Sequence, residues 1–222
     1  MNLENYRNIK KKLTPEVQLI AVSKTKSIED ILFLYHDGQR IFGENKAQEM
    51  KEKHALLPKD IQWHFIGHLQ SNKVKYITPF VSLIHSIDSF NLLFEVNRAA
   101  QKNNRIIPCL LQFYIASEDS KFGFEWEECE KMLQSESFKK LENIEIIGVM
   151  GMATLTKNEE QIQQEFQTLV SCFKKLKEQY FSSQPSFKEI SMGMTDDYHL
   201  ALKEGTTMVR IGSAIFGTRE YK

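Results

Sequence analysis

A lysine stands directly after a short apolar run near the start of the chain. Lys24 follows the segment LIAVS, which has the apolar character of a buried strand. A lysine amine that is partly withdrawn from water is available to form an imine with an aldehyde. Most lysines are surface residues, so the spacing alone leaves that simpler role for Lys24 open as well.

Two glycine-bearing turns follow two apolar runs near the other end of the chain. Ser191 and Gly193 belong to the first turn, and Gly212 and Ser213 belong to the second. Backbone N–H groups in such turns, at the N-termini of the helices that follow, can bind a phosphate. Either turn alone is equally well a generic turn. Together with Lys24, they predict a site for an aldehyde that carries a phosphate.

An alternation of strand and helix patterns would have to bring these residues together. Strand patterns lie at residues 17–23, 40–43, 61–66, 81–85, 107–115, 144–150, 189–192 and 207–211. Helix patterns follow them at residues 27–36, 45–57, 71–77, 89–102, 125–133, 159–180 and 196–203, with a short final segment around Ala214. Eight strands that are each followed by a helix favour an α/β fold of the (β/α)8 TIM barrel type over an open, doubly wound sheet. An extra N-terminal helix is expected at residues 2–13.

Such a barrel gathers the polar residues that end its strands. Functional sites of this fold lie at the carboxyl ends of the strands. The mouth would therefore hold Lys24, Asn45 and Arg210 beside the two glycine turns. Methionine fills irregular apolar space, so the methionines at positions 150, 152, 192 and 194 are expected to line the top of the barrel.

The composition excludes several classes of protein. The 222 residues carry 29 Lys and Arg against 29 Asp and Glu, a formal net charge of zero, which argues against a nucleic-acid binder or a polybasic membrane protein. No stretch approaches the ~20 apolar residues of a membrane span, and the N-terminus lacks the apolar run of a signal peptide. We therefore expect a cytoplasmic protein with one domain, residues 1–222, and little room beyond the barrel.

Three cysteines give no sign of a disulfide or a redox pair. Cys109, Cys129 and Cys172 are odd in number and form no CxxC motif. All three fall within apolar or helical patterns. They are expected to be reduced, buried thiols rather than catalytic ones.

Other polar groups admit a structural interpretation. His64 and His68 have the i, i+4 spacing of metal ligands, but this spacing places ligands on one face only in a helix, so no metal site is expected. Asp196 and Asp197 are expected to cap a helix rather than act as an acid–base pair. The amphipathic helix at 159–180 is expected to pack on its own barrel.

Five ordered segments resemble the pyridoxal 5′-phosphate (PLP) homeostasis protein family. They are AVSKTK at 21–26, GENKAQE at 43–49, WHFIGHLQSNK at 63–73, SMGMTDD at 191–197 and VRIGSAIFG at 209–217. The resemblance spans nearly the whole chain. It implies the barrel of the alanine racemase N-terminal domain, known as PLP fold type III, and PLP as the cofactor.

The resemblance also implies roles for individual residues. Lys24 would hold PLP as an aldimine, with Asn45 and His64 near the ring and Arg210 near the pyridine nitrogen. The phosphate would be bound by Ser191, Gly193, Gly212 and Ser213. The family often has small or acidic residues where Tyr198 and His199 stand here, which indicates a local difference at the rim.

The implied function is PLP binding in the service of intracellular vitamin B6 homeostasis, by buffering or delivery. On this reading the protein is a monomer and not an enzyme, and PLP-dependent apo-enzymes would receive the cofactor. The alternative is a PLP-dependent amino-acid racemase or lyase. A racemase needs a base on each face of the substrate carbon, for which only Tyr198, His199 and His64 are nearby candidates. A purely structural interaction module would leave the convergent polar residues unexplained.

Overall fold

Eight parallel strands close into a barrel in the computed structural model of the protein, which describes residues 1–117 and 122–217. The strands are β1 (Gln18–Val22), β2 (Ile41–Glu44), β3 (Gln62–Phe65), β4 (Leu83–Ile87), β5 (Ile107–Gln112), β6 (Ile144–Met150), β7 (Glu189–Ser191) and β8 (Met208–Ile211). The barrel closes where β8 pairs with β1, with Met208 opposite Gln18 and Ile211 opposite Ala21. All carboxyl ends therefore meet at one rim.

Helices follow the strands around the outside of the barrel. They are α1 (Leu3–Lys12), α2 (Ile28–His36), α3 (Ala47–Leu56), α4 (Phe90–Lys102), α5 (Trp126–Gln134), α6 (Glu136–Lys139), α7 (Glu159–Gln179), α8 (Tyr198–Lys203) and α9 (Ser213–Phe216), with a 3-10 helix at Ser71–Tyr76. Side-chain caps start several of them, because a serine hydroxyl accepts a hydrogen bond from a free N–H of the first turn. Ser27 accepts from the N–H of Asp30, and Ser89 accepts from that of Leu92. The predicted barrel and its additional N-terminal helix are thus confirmed.

Some element boundaries differ from the sequence prediction. β5 ends at Gln112 instead of Ile115, because Phe113 forms only an isolated bridge to Phe124. The segment after β3 is a 3-10 helix, a form common in short connecting turns. β4 begins at Leu83, since the N–H of Val81 is bonded to the carbonyl of Ile77 and completes the preceding turn.

Apolar side chains fill two layers. Inside the barrel lies a small cluster of Ile20, Leu83, Leu110, Met150 and Met208. The larger core lies between strands and helices, and α7 contributes the buried residues Ile162, Phe166, Leu169 and Leu176. Burial of one such side chain stabilises the fold by about 1.5–3 kcal/mol, so this face fixes α7 on the barrel as predicted.

The three cysteines are free thiols. Cys109 and Cys129 are buried as predicted, while Cys172 is half-buried. Burial raises the pKa of the Cys129 thiol to about 12 and raises that of Cys109 still further above its usual range. Because the thiolate is the reactive form, both side chains are chemically inert at neutral pH.

Within the two described segments, none of the helices is both long enough and apolar enough to cross a lipid bilayer.

Candidate functional site

A cavity of about 330 Å³ opens at the carboxyl ends of the strands. Five of the eight predicted site residues line it, namely Lys24, Asn45, Arg210, Gly212 and Ser213. They come from the ends of β1, β2 and β8, which are adjacent around the barrel. The strand order therefore brings together residues that are almost 190 positions apart in the sequence.

Lys24 is presented to the cavity by the turn that ends β1. The N–H of Ser23 donates to the carbonyl of Gly43 at 3.0 Å, which continues the pairing with β2 to the last residue before Lys24. Lys24 itself is half-buried. The next residue, Thr25, has a φ of +63°, in the left-handed region that β-branched residues seldom adopt. The chain thus turns sharply away just after the lysine.

A second lysine in the cavity wall is held by other groups. The ammonium of Lys26 donates to the carbonyls of Phe216 and Gly217, both at 3.3 Å. These carbonyls belong to the last turn and the end of α9, where a positive charge is favourable. Lys26 therefore anchors α9 to the first turn of the barrel.

Asn45 brings an unpartnered polar atom to the cavity. Its Oδ1 is buried and has no hydrogen-bond partner among the described residues. Gly67 packs against the same residue, and a Cβ at Gly67 would lie only 2.5 Å from the carbonyl oxygen of Asn45. Since buried polar atoms in proteins are nearly always satisfied, an unpaired acceptor in a cavity wall suits a ligand with a donor group.

Arg210 is buried beneath the cavity and fixed by two hydrogen bonds. One guanidinium nitrogen donates to Ser191 Oγ at 2.6 Å, and the other donates to the carbonyl of Gly151 at 3.0 Å. Burial lowers the pKa of Arg210 to about 10, which leaves the guanidinium charged at neutral pH.

Two buried histidines continue this chain of hydrogen bonds. Ser191 Oγ lies 2.9 Å from His85 Nδ1, and His85 Nε2 lies 3.0 Å from His64 Nδ1. Burial lowers the pKa of His64 to about 3. The pKa of His85 is also well below its ordinary value. Burial is the largest cause, and electrostatic repulsion from His64 and Arg210 adds to it. Both rings are therefore neutral at physiological pH, and they lie behind Arg210 rather than in the cavity wall.

The first glycine turn packs tightly on α8. Gly193 has a φ of +91°, and a Cβ there would lie 2.6 Å from the Cβ of Ala201. Its carbonyl accepts the N–H of Arg210 at 3.0 Å, which places the turn beside the second one. Gly193 itself is not in the cavity wall, but the following residues Met194 and Thr195 are.

The acidic pair of this turn differs from the expected helix cap. Asp197 is the residue before α8, but its carboxylate makes no capping bond to that helix. It accepts instead the N–H of Met194, so it closes the turn. Asp196 is exposed and lines the cavity. The carboxylate of Asp197 therefore shapes the turn, and only Asp196 faces the site.

The second glycine turn begins α9 and contacts the first. Ser213 Oγ donates to Thr195 Oγ1 at 3.2 Å. Gly212 lies close to β1, where a Cβ would approach Val22 to 3.3 Å. The first N–H groups of a helix have no partner within it, so these turns offer donors at one end of the cavity.

The methionines divide between the site and the core. Met152 and Met194 line the cavity as predicted. Met150 packs inside the barrel, and Met192 packs in the outer core. The prediction that all four line the barrel top is therefore wrong for these two.

An ionic cluster lies beneath Lys24 that the sequence patterns did not predict. Lys53 of α3 is buried, and its ammonium donates to Glu44 Oε1 at 2.8 Å, to Glu49 Oε1 at 2.7 Å and to the carbonyl of Ser23 at 2.7 Å. Burial raises the pKa of Glu44 in spite of the opposing effect of Lys53. The i, i+4 spacing of Glu49 and Lys53 is the one signal in the sequence, and it is also typical of exposed helix surfaces.

The histidines considered as metal ligands have separate partners. His68 Nδ1 lies 3.0 Å from Asp88 Oδ2, whereas His64 is bonded to His85. The part of the chain that the structure describes contains no group of three or more His, Cys, Asp or Glu residues arranged to hold a metal ion.

Comparison with known proteins identifies the family. A pyridoxal phosphate homeostasis protein of Aquifex aeolicus (strain VF5) is 38% identical over 205 residues, which cover 92% of this chain and 88% of that protein. The chain belongs to the pyridoxal phosphate homeostasis protein family. Residues 3–220 also match the family model described as alanine racemase, N-terminal domain.

Solved structures agree with this assignment. The structure of PipY from Synechococcus elongatus PCC7942 with PLP bound has a TM-score of 0.87 and 33% identity, and the match covers 98% of this chain and all of that one. An alanine racemase of Clostridium difficile 630 has a TM-score of 0.73 at 14% identity, covering 99% of this chain and 56% of the racemase. The racemase likeness shows the shared barrel fold, as the sequence predicted.

Proposed function

We propose that this protein binds PLP in the mouth cavity, covalently through Lys24, and buffers or delivers it in intracellular PLP homeostasis. The observation that carries the proposal is the convergence of Lys24, Arg210 and the turn at Gly212 and Ser213 on one cavity of about 330 Å³. The relative PipY, 33% identical, has been solved with PLP bound. These groups match the parts of the cofactor. An amine can bind the aldehyde, a fixed cation can lie beside the pyridine ring, and backbone N–H groups can bind the phosphate.

The residues of the site fit the parts of this cofactor. The Lys24 amine would take the aldehyde, and the unpaired Asn45 Oδ1 would accept a hydrogen bond from the ring hydroxyl. Arg210 would lie against the pyridine nitrogen. The phosphate would be held by the N–H groups of Gly212 and Ser213 and by the turn that begins at Gly193. When bound, PLP supplies a reversible covalent bond to an amine.

We assign His64 and Ser191 supporting roles. Ser191 was expected to bind the phosphate directly, but its hydroxyl is fully buried and bonded to Arg210 and His85. We propose that it holds the guanidinium in place. His64, which was expected near the ring, would act through His85 in the same way.

The charge of Arg210 favours a carrier over an enzyme. A guanidinium beside the pyridine nitrogen disfavours its protonation, and an unprotonated ring is a weak electron sink for carbanion chemistry. The curated relatives are named as homeostasis proteins. The second candidate, an amino-acid racemase or lyase, is favoured by the match to the alanine racemase N-terminal domain. The residues that could serve it as bases, Tyr198, His199 and His64, are not among those that line the cavity.

Borohydride reduction and peptide mass mapping test the proposal. We expect the phosphopyridoxyl adduct on Lys24 in both the parent protein and Lys26→Ala. In Lys24→Ala, the peptide that contains position 24 should carry no adduct. Lys26 is the matched control, because it lines the same cavity but its amine is held by α9. An adduct mainly on another lysine would contradict the assignment.

Loss of α-deuterium from labelled amino acids separates the carrier from the enzyme. A carrier exchanges deuterium no faster than free PLP does. Sustained exchange that depends on Lys24 and exceeds this background would establish the racemase or lyase instead.

We place the protein in the cytoplasm, acting as a monomer of one domain, residues 1–222, with PLP-dependent apo-enzymes as recipients. The three free cysteines support a reducing compartment.

A further inference from the structure

We propose that Glu49 and Lys53 of α3 are positioning residues for Lys24. Their side chains fix the backbone of the residues on either side of Lys24. This inference rests on the proposed function, since it assigns the cluster a role in presenting the amine to PLP.

The contacts enclose Lys24 between two bonds from one helix. The Lys53 ammonium binds the carbonyl of Ser23, the residue before Lys24, at 2.7 Å. The carboxylate of Glu49 accepts the N–H of Thr25, the residue after it, at 2.6 Å. Glu49 and Lys53 are themselves paired at 2.7 Å, so the two bonds belong to one unit.

The backbone at this point needs such support. Thr25 has a φ of +63°, and a β-branched residue in this region is held there only when its surroundings determine it. The bond from its N–H to Glu49 is charge-assisted, which makes it one of the stronger hydrogen bonds in proteins. Without it, Thr25 would relax toward an extended or helical conformation and Lys24 would turn with it.

The unit is tied to the barrel through Glu44. Glu44 Oε1 accepts from both the Lys53 ammonium at 2.8 Å and Ser23 Oγ at 2.7 Å. The Glu44 side chain is fully buried, that of Lys53 is 7% exposed and that of Glu49 is 22% exposed. A buried ion pair adds little net stability compared with apolar side chains, so its contribution here is better understood as a defined geometry at the end of β1.

The test compares two ligands that differ at the aldehyde. Pyridoxal 5′-phosphate reacts with an amine, whereas pyridoxine 5′-phosphate carries an alcohol and cannot. In Glu49→Ala we expect the affinity for pyridoxal 5′-phosphate and the borohydride-trapped fraction of Lys24 to fall about tenfold, as for the loss of one charge-assisted hydrogen bond. The affinity for pyridoxine 5′-phosphate should change by less than about twofold, because the phosphate turns are untouched.

Glu52→Ala is the matched control. Glu52 lies on the same helix, is exposed and is bonded only to Gln48 in the described contacts. It should leave both affinities and the trapped fraction at parent values.

Thr25→Gly provides a rescue. Glycine adopts a positive φ without steric cost. The fall in the borohydride-trapped fraction of Lys24 caused by Glu49→Ala should therefore be much smaller when Thr25→Gly is also present. Circular dichroism confirms that each variant is folded. Lys53→Met is informative only together with Glu44→Gln, since it would otherwise leave a buried carboxylate unpaired.

The outcomes separate the inference from the proposed function. Unchanged trapping in Glu49→Ala, an equal loss of affinity for both ligands, or no rescue by Thr25→Gly would overturn the positioning role alone. A parent protein that gives no adduct at Lys24 would overturn the proposed function and this inference with it.

Discussion

Two serines of the predicted phosphate site have different environments in the structure. Ser191 is fully buried and joins Arg210 to His85. Ser213 is exposed in the cavity wall and contacts Thr195. The same residue type thus supports the fold in one turn and is available to a ligand in the other.

Replacing each serine with alanine distinguishes these roles. Ser191→Ala leaves buried nitrogens of Arg210 and His85 without a partner and should lower the free energy of unfolding by about 1–3 kcal/mol. Ser213→Ala should change it by less than about 0.5 kcal/mol. In calorimetric titration, however, Ser213→Ala should weaken PLP binding by about tenfold, because its hydroxyl lies in the cavity wall at the proposed phosphate site. Urea unfolding gives the stabilities, and equal destabilisation by the two substitutions would contradict this distinction.

At the scale of elements, the site depends on how closely α8 approaches the turn after β7. Gly193 allows this approach, since its missing Cβ is where Ala201 packs. Gly205, at the other end of α8, has a similar φ of +83° but no atom within 4 Å of its ideal Cβ. Both glycines therefore have a positive φ, but only Gly193 is also closely packed against another element.

Alanine at these two positions should have unequal effects. Both substitutions force a residue with a side chain into a positive φ, at a cost of about 1–2 kcal/mol. Gly193→Ala must in addition displace α8, which adds about 1–3 kcal/mol and moves Met194 and Thr195 at the cavity wall. We expect Gly193→Ala to lower both the urea midpoint and the affinity for PLP, and Gly205→Ala to lower the midpoint alone. A loss of affinity in Gly205→Ala would show that strain at either end of α8 reaches the site.

Sequence patterns predict the contents of single elements better than the contacts between them. The barrel and the convergence of Lys24, Asn45 and Arg210 follow from apolar periodicity and from the rule that strand ends form the site. The hydrogen bonds that hold Arg210 cannot be predicted in this way. Its partner Ser191 is bonded in turn to His85, which lies 106 positions away in the sequence. Lys53 likewise reaches Ser23 across 30 positions. No local pattern distinguishes such a lysine from a solvated one.

At the scale of the whole molecule, the barrel interior has an apolar layer and a polar one. Ile20, Leu110 and their neighbours form the first. The chain from Arg210 through Ser191 and His85 to His64 forms the second, and it links β8, β7, β4 and β3 across the barrel. Because this polar layer is buried, the stability of the entire fold is coupled to its protonation.

The fold should lose stability in acid through these histidines. The unfolded chain binds a proton at His64 near its ordinary pKa of 6.5, but the folded protein does so only near its lowered pKa of about 3. The stabilisation is therefore present above pH 6.5 and is lost as the pH falls toward 3, by up to ~1.4 kcal/mol per pH unit for each such histidine.

His64→Gln tests this coupling in urea unfolding series at several pH values. The variant should show a shallower decline of stability between pH 6.5 and about 4 than the parent protein. His36→Gln serves as the control because His36 is exposed on α2, outside the polar layer, and it should follow the parent curve. Parallel curves for the parent and His64→Gln would show that other groups cause the acid sensitivity.

The polar layer also has a direction. A guanidinium only donates, so Ser191 Oγ accepts from Arg210, and its own hydrogen is best satisfied by His85 Nδ1. His85 must then carry its hydrogen on Nε2 and donate it to Nδ1 of His64, which leaves the hydrogen of His64 on Nε2. The opposite order would leave a buried hydroxyl hydrogen without an acceptor. One cation at the foot of the cavity thus selects the tautomer of two imidazole rings, the farther of which it does not touch.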